Sequence, residues 1–230
     1  PVGPEGSTMV VPLVYILMSR KSQECYINAF ELLSEIAEDF ELELKPPFVL
    51  LDFEKAAINA IKEVFPNSET FGCFFHWTKN IIKKLGTLRL KKAYSEGTNV
   101  FMAVKKLQAL SFLPSERIYE AYQDLKPTLP ESMNLFLTYF EETYVSGKRN
   151  NNRPMYQPAL WSNHKVVLEK MPRTTNQLES WHYRWTNIAG THHLSVVRMV
   201  EEIGKEQHYT DGKIPCILAG EPSTSYSKDM

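Results

Sequence analysis

The sequence predicts an α/β fold interrupted by an all-helical stretch. Up to Gly86, short apolar runs alternate with segments of helical period. From about Asn99 to Tyr144 the apolar spacing is helical throughout. The 230 residues are 43% hydrophobic and 23% charged. That composition excludes disorder and coiled coil as overall classes, and leaves room for one large domain carrying an insertion.

The α/β part begins with Val10 to Ser19, whose β-branched and aromatic content predicts a buried strand with Pro12 near its start. Ser22 suits a helix N-cap, and Tyr26, Phe30, Leu33, Ile36, Ala37 and Phe40 give Gln23–Phe40 a helical period. Pro46-Pro47 breaks the chain. Phe48 to Leu51 follows as a short apolar run that fits a strand buried on both faces, ended by Asp52. Glu54 to Phe65 reads as a helix with Ala57, Ile58, Ile61 and Val64 on one face, stopped by Pro66-Asn67. Thr70 to Phe75 predicts a third strand, and His76 to Leu85 a helix ended by Gly86.

Beyond it, Pro114, Pro127 and Pro130 divide the helical stretch into Val100–Leu110, Ser115–Leu125 and Glu131–Tyr144. Ser146 to Pro154 is a basic, polar loop. Thr174–Asn187 and Leu194–His208 predict two more helices, and the tail from Thr210 lacks periodicity. The expected domains are an α/β part at 1–90, a helical insertion at 91–172, core helices at 173–209 and a flexible tail at 210–230.

Three constellations carry candidate chemistry. Asp52 directly follows an apolar strand, at the sheet edge where open α/β folds place ligands; it also suits the N-cap of the next helix. Cys73 and His76 lie three apart at a strand-to-helix junction. They are metal-ligand types, but a small buried thiol and a helix-start histidine explain them as well. A zinc centre needs four ligands, and only the distant His192 and His193 offer partners, so zinc is not expected. Glu179 stands inside Thr174-Thr-Asn-Gln-Leu-Glu179, where it fits a capping box or a ligand role.

Charge does not point globally to nucleic acid, since the net charge is -1 and the pI about 6.7. Local basic patches do exist. Lys79, Lys83, Lys84, Arg89, Lys91 and Lys92 form a run of six basic residues without an acid, and Lys148, Arg149 and Arg153 lie in the basic loop. They are candidate DNA contacts, or ordinary solvated faces. The longest apolar run, Met9 to Met18, falls short of the roughly 18 residues a spanning helix requires, so no membrane partner is expected. Three cysteines (Cys25, Cys73 and Cys216) suggest a reducing compartment.

The run VVPLVYILMSRKSQECYINAFELL, then VLLDFEKAAINAIKEVFPN, GCFFHWTKNI, LW and TTNQLESWH, resembles the catalytic core of Mutator-like element (MULE) transposases, over about Met9 to His208. The resemblance implies a ribonuclease H-like core interrupted by a helical insertion. It implies an Asp, Asp, Glu metal site on Mg²⁺ or Mn²⁺, DNA (transposon ends) as partner, and a nuclear location. Asp52 matches the second Asp, Cys73 and His76 the family's Cys-x-x-His, and Glu179 the final Glu. No residue here matches the first Asp, which in the family lies upstream of the segment matching Val10 to Ser19. The resemblance therefore implies a core incomplete at its N-terminus, with Val10 to Ser19 as an unpaired edge prone to self-association.

In the family, two divalent ions clamp the attacking and leaving oxygens of a DNA phosphoryl transfer. With Asp52 and Glu179 alone the second ion lacks its clamp, so this chain is expected not to cleave DNA by itself. The two readings are a fragment or derivative of a DNA transposase, and a domesticated, non-catalytic DNA-binding or regulatory protein descended from one.

Overall fold

The structure, a computed structural model, describes residues 12–148, 153–171 and 195–219. The chain divides into one unit of residues 18–175 and another formed by 1–17 and 176–230.

The larger unit opens with α1 (Gln23–Asp39), β1 (Phe48–Leu51), α2 (Lys55–Val64), β2 (Glu69–Gly72) and α3 (Phe74–Thr87). α1 starts where the sequence places it: Ser22 Oγ accepts a hydrogen bond from Cys25 N at 3.3 Å. No α1 residue is buried. Half-buried apolar and polar contacts together hold the helix beside α2: Phe30 meets Phe65 at 6.2 Å between centroids, Asn59 Nδ2 donates to Gln23 Oε1 at 3.0 Å, and Tyr26 Oη donates to Oε1 of Glu54, the α2 N-cap, at 3.0 Å.

β1 and β2 are parallel, in the register Phe48↔Glu69, Val49↔Thr70, Leu50↔Phe71 and Leu51↔Gly72. α2 provides the crossover a parallel pair requires, and buries Ile58, Ala60 and Ile61. Two expectations are corrected. β1 is only half-buried rather than covered on both faces. Residues 12–19 form no strand, and Leu13, Val14, Ile16 and Leu17 are exposed. β-branched composition signals a fit to a pleated surface, but a ladder needs a partner. Among the described residues the sheet has only these two strands.

β2 ends earlier than expected because Cys73 closes the sheet and opens the helix. Its N–H donates to Leu51 O at 2.7 Å, and its carbonyl accepts from Trp77 N at 3.0 Å. α3 also runs through Gly86. It ends at Thr87; Arg89, two residues on, takes the left-handed conformation (φ 60°), and Leu90 N reaches back to Leu85 O at 2.8 Å.

The helical stretch contains α4 (Lys91–Ser95), α5 (Asn99–Ala109), α6 (Ile118–Leu125) and α7 (Asn134–Phe140). The three expected helices are present but less regular. Ser115–Arg117 and Glu131–Met133 begin as 3₁₀ turns behind Pro114 and Pro130, and Glu141–Val145 closes α7 with a π-helical turn. α4 was not expected, nor were the short α8 (Pro158–Trp161) and α9 (His164–Leu168). In the smaller unit, Val196–Leu218 is one helix with Pro215 inside it. The chain from Thr210 is thus helical as far as Leu218, and Gln207 Nε2 to Asp211 Oδ1 at 2.7 Å bridges one turn there. The helix expected at Thr174–Asn187 lies outside the described residues.

The main core joins α3 to the helical stretch. Trp77, Ile81 and Leu85 of α3 pack in one buried cluster with Val104, Leu107, Tyr122, Phe136, Phe140, Tyr144 and Trp161. Trp77 stacks on Trp161 at 4.9 Å between centroids. Trp161 Nε1 donates to Tyr144 O at 2.9 Å and Tyr122 Oη to Leu137 O at 3.0 Å, whereas the buried Trp77 Nε1 has no hydrogen-bond partner among the described residues. Phe53, just past β1, meets Tyr156 edge-on at 5.1 Å, and Tyr156 Oη donates to Phe53 O at 2.8 Å. Gly72 is required beneath that ring: a Cβ there would lie 2.5 Å from Phe53 Cζ and 3.1 Å from Leu160 O.

Gly72→Ala is therefore expected to destabilise the domain by about 1–3 kcal/mol, through overpacking against the Phe53 ring, which Tyr144 and Tyr156 flank, and against the Leu160 carbonyl. Chemical denaturation measures this; a neutral result would contradict the packing. A second expectation concerns alkaline pH. Burial and the hydrogen bond to Glu54 push the Tyr26 hydroxyl up to about 12. Burial raises Tyr122, Tyr144 and Tyr156 as well. Between about pH 10 and 12 the unfolded chain loses phenolic protons that the folded chain keeps, so stability is full below about 10 and falls above it. The melting temperature should drop over that window, with a shallower drop in Tyr26→Phe.

Candidate functional site

The parallel register builds the site. Leu51 and Gly72 are paired, so the residues following them, Asp52 and Cys73, emerge side by side at the carboxyl edge of the sheet. His76 stands three residues after Cys73, in the first turn of α3, on the same face as residue 73. Asp52 Oδ1 lies 2.7 Å from His76 Nδ1. One potential ligand atom from each of Asp52, Cys73 and His76 falls within 4.8 Å of the others.

The three side chains grade from interior to solvent. Cys73 is fully buried, the His76 side chain is 18% exposed and that of Asp52 56%. The cap explanation of Asp52 does not hold. Glu54 occupies the N-cap of α2 without a side-chain cap bond, and its carboxylate is taken by Tyr26 and Lys21. Asp52 instead faces the imidazole.

Glu179 and Arg149 lie outside the described residues, as do His192 and His193. The donor set around Asp52 can still be compared with the Mg²⁺ or Mn²⁺ site the resemblance implies. Mg²⁺ takes near-octahedral oxygen ligands. Among the described residues the donors that cluster with Asp52 are a sulfur and a nitrogen, and that group holds no second carboxylate, so this set does not fit a Mg²⁺ pair.

The basic candidates separate into different environments. Lys79 and Lys83 lie four apart on α3, and both are exposed. Lys84 is committed to packing, with Nζ 4.5 Å from the centre of the Tyr139 ring. Arg89 and Lys91 are exposed at the α3–α4 turn, and Lys92 pairs loosely with Glu96 at 3.8 Å. Lys148 and Arg153 line a cavity of about 720 Å³. Lys55 and Lys62 line it too, from α2, and sequence reasoning missed them. Their seven-residue spacing, two helical turns, was the available signal.

The π-helical turn also lines this cleft. It contributes Glu142 and Thr143, and Tyr156 N returns to Thr143 O at 2.9 Å, closing the basic loop. Glu69, also on the lining, is ion-paired with Lys165. The cleft therefore keeps a surplus of positive charge from Lys55, Lys62, Lys148 and Arg153. Among the described residues, no helix is long and apolar enough to cross a membrane.

Comparison with known proteins places the site in a family context. Residues 2–80 match the family model described as MULE transposase domain. Neither a search of curated proteins nor one of solved structures returned a match. The matched segment spans α1, β1, α2, β2 and the first turns of α3, and so holds Asp52, Cys73 and His76. Residues 2–80 of this chain are thus a segment related to the MULE transposase domain.

Proposed function

We propose that this chain is a transposase-derived DNA-binding protein that does not cleave DNA by itself. The observation that carries the reading is the MULE match over residues 2–80. The cleft supports it chemically. Four cationic side chains around one cavity, with one of the two nearby carboxylates already neutralised by Lys165, suit a phosphodiester backbone. Tyr156 on the same lining offers a ring edge beside them. The ribonuclease H-like core, Asp52 and Glu179 as its carboxylates, transposon ends as the DNA, and a nuclear setting belong to this proposal. Self-association belongs to it as well, resting on the exposed apolar side chains of residues 13–17 rather than on a strand edge.

No cleavage step is derived for this chain, because the described neighbours of Asp52 are unsuited to a pair of hard cations. What its own residues do is hold the backbone: Lys55 and Lys62 from α2, Lys148 and Arg153 from the ends of the basic loop.

Two measurements test this. Duplex affinity measured against salt should fall with a log–log slope of roughly -3 to -4, for four phosphate contacts. Reversing Lys55 and Lys62 to Glu should reduce that slope by about 2, and reversing Lys79 and Lys83 should change it less. A slope indifferent to Lys55 and Lys62 would rule out the cleft. In the second, end-containing duplex incubated with Mg²⁺ or Mn²⁺ should stay uncut. Cleavage that disappears in Asp52→Ala would overturn the non-cleaving assignment.

A further inference from the structure

We propose that Asp52, Cys73 and His76 form a binding site for a single borderline-soft transition-metal ion, Zn²⁺ in chemical class. The inference stands apart from the cationic cleft, since it rests on the donor set alone; it gives Asp52, the core carboxylate of the proposal above, a single soft ion shared with Cys73 and His76.

Three donors of different chemistry converge: a thiol sulfur, an imidazole nitrogen and a carboxylate oxygen, mutually within 4.8 Å. Zn²⁺ accepts all three types, at about 2.3 Å for sulfur and about 2.0–2.2 Å for nitrogen and oxygen. Donors at neighbouring corners of such a tetrahedron are roughly 3.3–3.8 Å apart. The three donors already lie within 4.8 Å of one another, because Asp52 and Cys73 follow the paired Leu51 and Gly72, so the spacing that bound Zn²⁺ needs is about an ångström away. A site of three protein ligands keeps a fourth position for water or another donor, and the half-exposed Asp52 places it on the solvent side.

Softness decides which ion enters. A buried thiolate and an imidazole favour Zn²⁺ over Mg²⁺, which prefers all-oxygen octahedra and sheds water reluctantly. The binding step is balanced by proton release. Cys73 enters as thiolate and gives its proton to solvent, while His76 enters neutral. The short Asp52–His76 contact opens, and both groups turn to the ion. The ligands sit on the end of β1 and the first turn of α3, whose far end is fixed in the aromatic core by Ile81 and Leu85.

The test uses the full chain, stripped by chelation and titrated with Co²⁺. A thiolate-to-cobalt charge-transfer band should rise to saturation at one equivalent. Zn²⁺ should abolish it, and a large excess of Mg²⁺ should not. Cys73→Ser should remove the band. Because Cys73 is buried, two variants at more exposed positions complete the test. Asp52→Asn and His76→Gln should each weaken Co²⁺ binding by at least about tenfold, with the metal-free melting temperature unchanged. Absence of the band would overturn the proposal. So would a band that survives in Cys73→Ser, affinity unchanged in both other variants, or displacement by Mg²⁺. Duplex binding by the same variants separates this result from the DNA reading, because removing a metal ligand leaves Lys55, Lys62, Lys148 and Arg153 in place.

Discussion

The pairing of Leu51 with Gly72 is the constraint on which the rest depends. A parallel ladder of four residue pairs is short, and its last bond, Cys73 N to Leu51 O at 2.7 Å, is made by a residue already turning into a helix. That bond sets Cys73 beside the chain leaving β1, and so beside Asp52. A one-residue slip would turn each side chain to the other face of the sheet. Asp52 and Cys73 would then no longer share an edge, and His76 would lose its carboxylate.

So small a sheet does not hold its register unaided. The aromatic core supplies the remaining restraint. Phe53 is held between Gly72 below and the Tyr156 ring beside it, and its carbonyl is taken by the Tyr156 hydroxyl. α3 has its first turn at the site and Trp77, Ile81 and Leu85 in the main cluster. The helical stretch thus acts as the platform against which the sheet edge is fixed. The same packing shapes the cleft, since Tyr156 ties the returning basic loop both to the π-helical turn and to Phe53.

Much of this was legible where local signals suffice. Ser22 as a cap, the period of α1 and α2, and the apolar run of β1 all reflect short-range physics. Val10 to Ser19 misled because β propensity cannot report whether a partner strand is present. Gly86 misled because a glycine permits the left-handed conformation without requiring it, and Arg89 took it instead. At the site, the Cys73–His76 spacing was visible but its third donor was not. Asp52 reads locally as a helix cap, and only the register between β1 and β2 shows that it meets the imidazole. Zinc is not expected from the sequence for want of a second Cys/His pair, and the structure adds only that a carboxylate from the neighbouring strand end joins Cys73 and His76. The lysines show the same limit. Lys84 counted toward a basic run but packs on Tyr139, whereas Lys55 and Lys62 were passed over and line the cleft.

The central claim is that register brings a carboxylate, a thiol and an imidazole to one point. X-ray absorption at the zinc edge of the Zn²⁺-loaded chain addresses it most directly. The account predicts one sulfur scatterer at about 2.3 Å and nitrogen or oxygen scatterers at about 2.0–2.2 Å, with imidazole outer-shell features. A shell of oxygen and nitrogen alone, or one with two or more sulfurs, would contradict it.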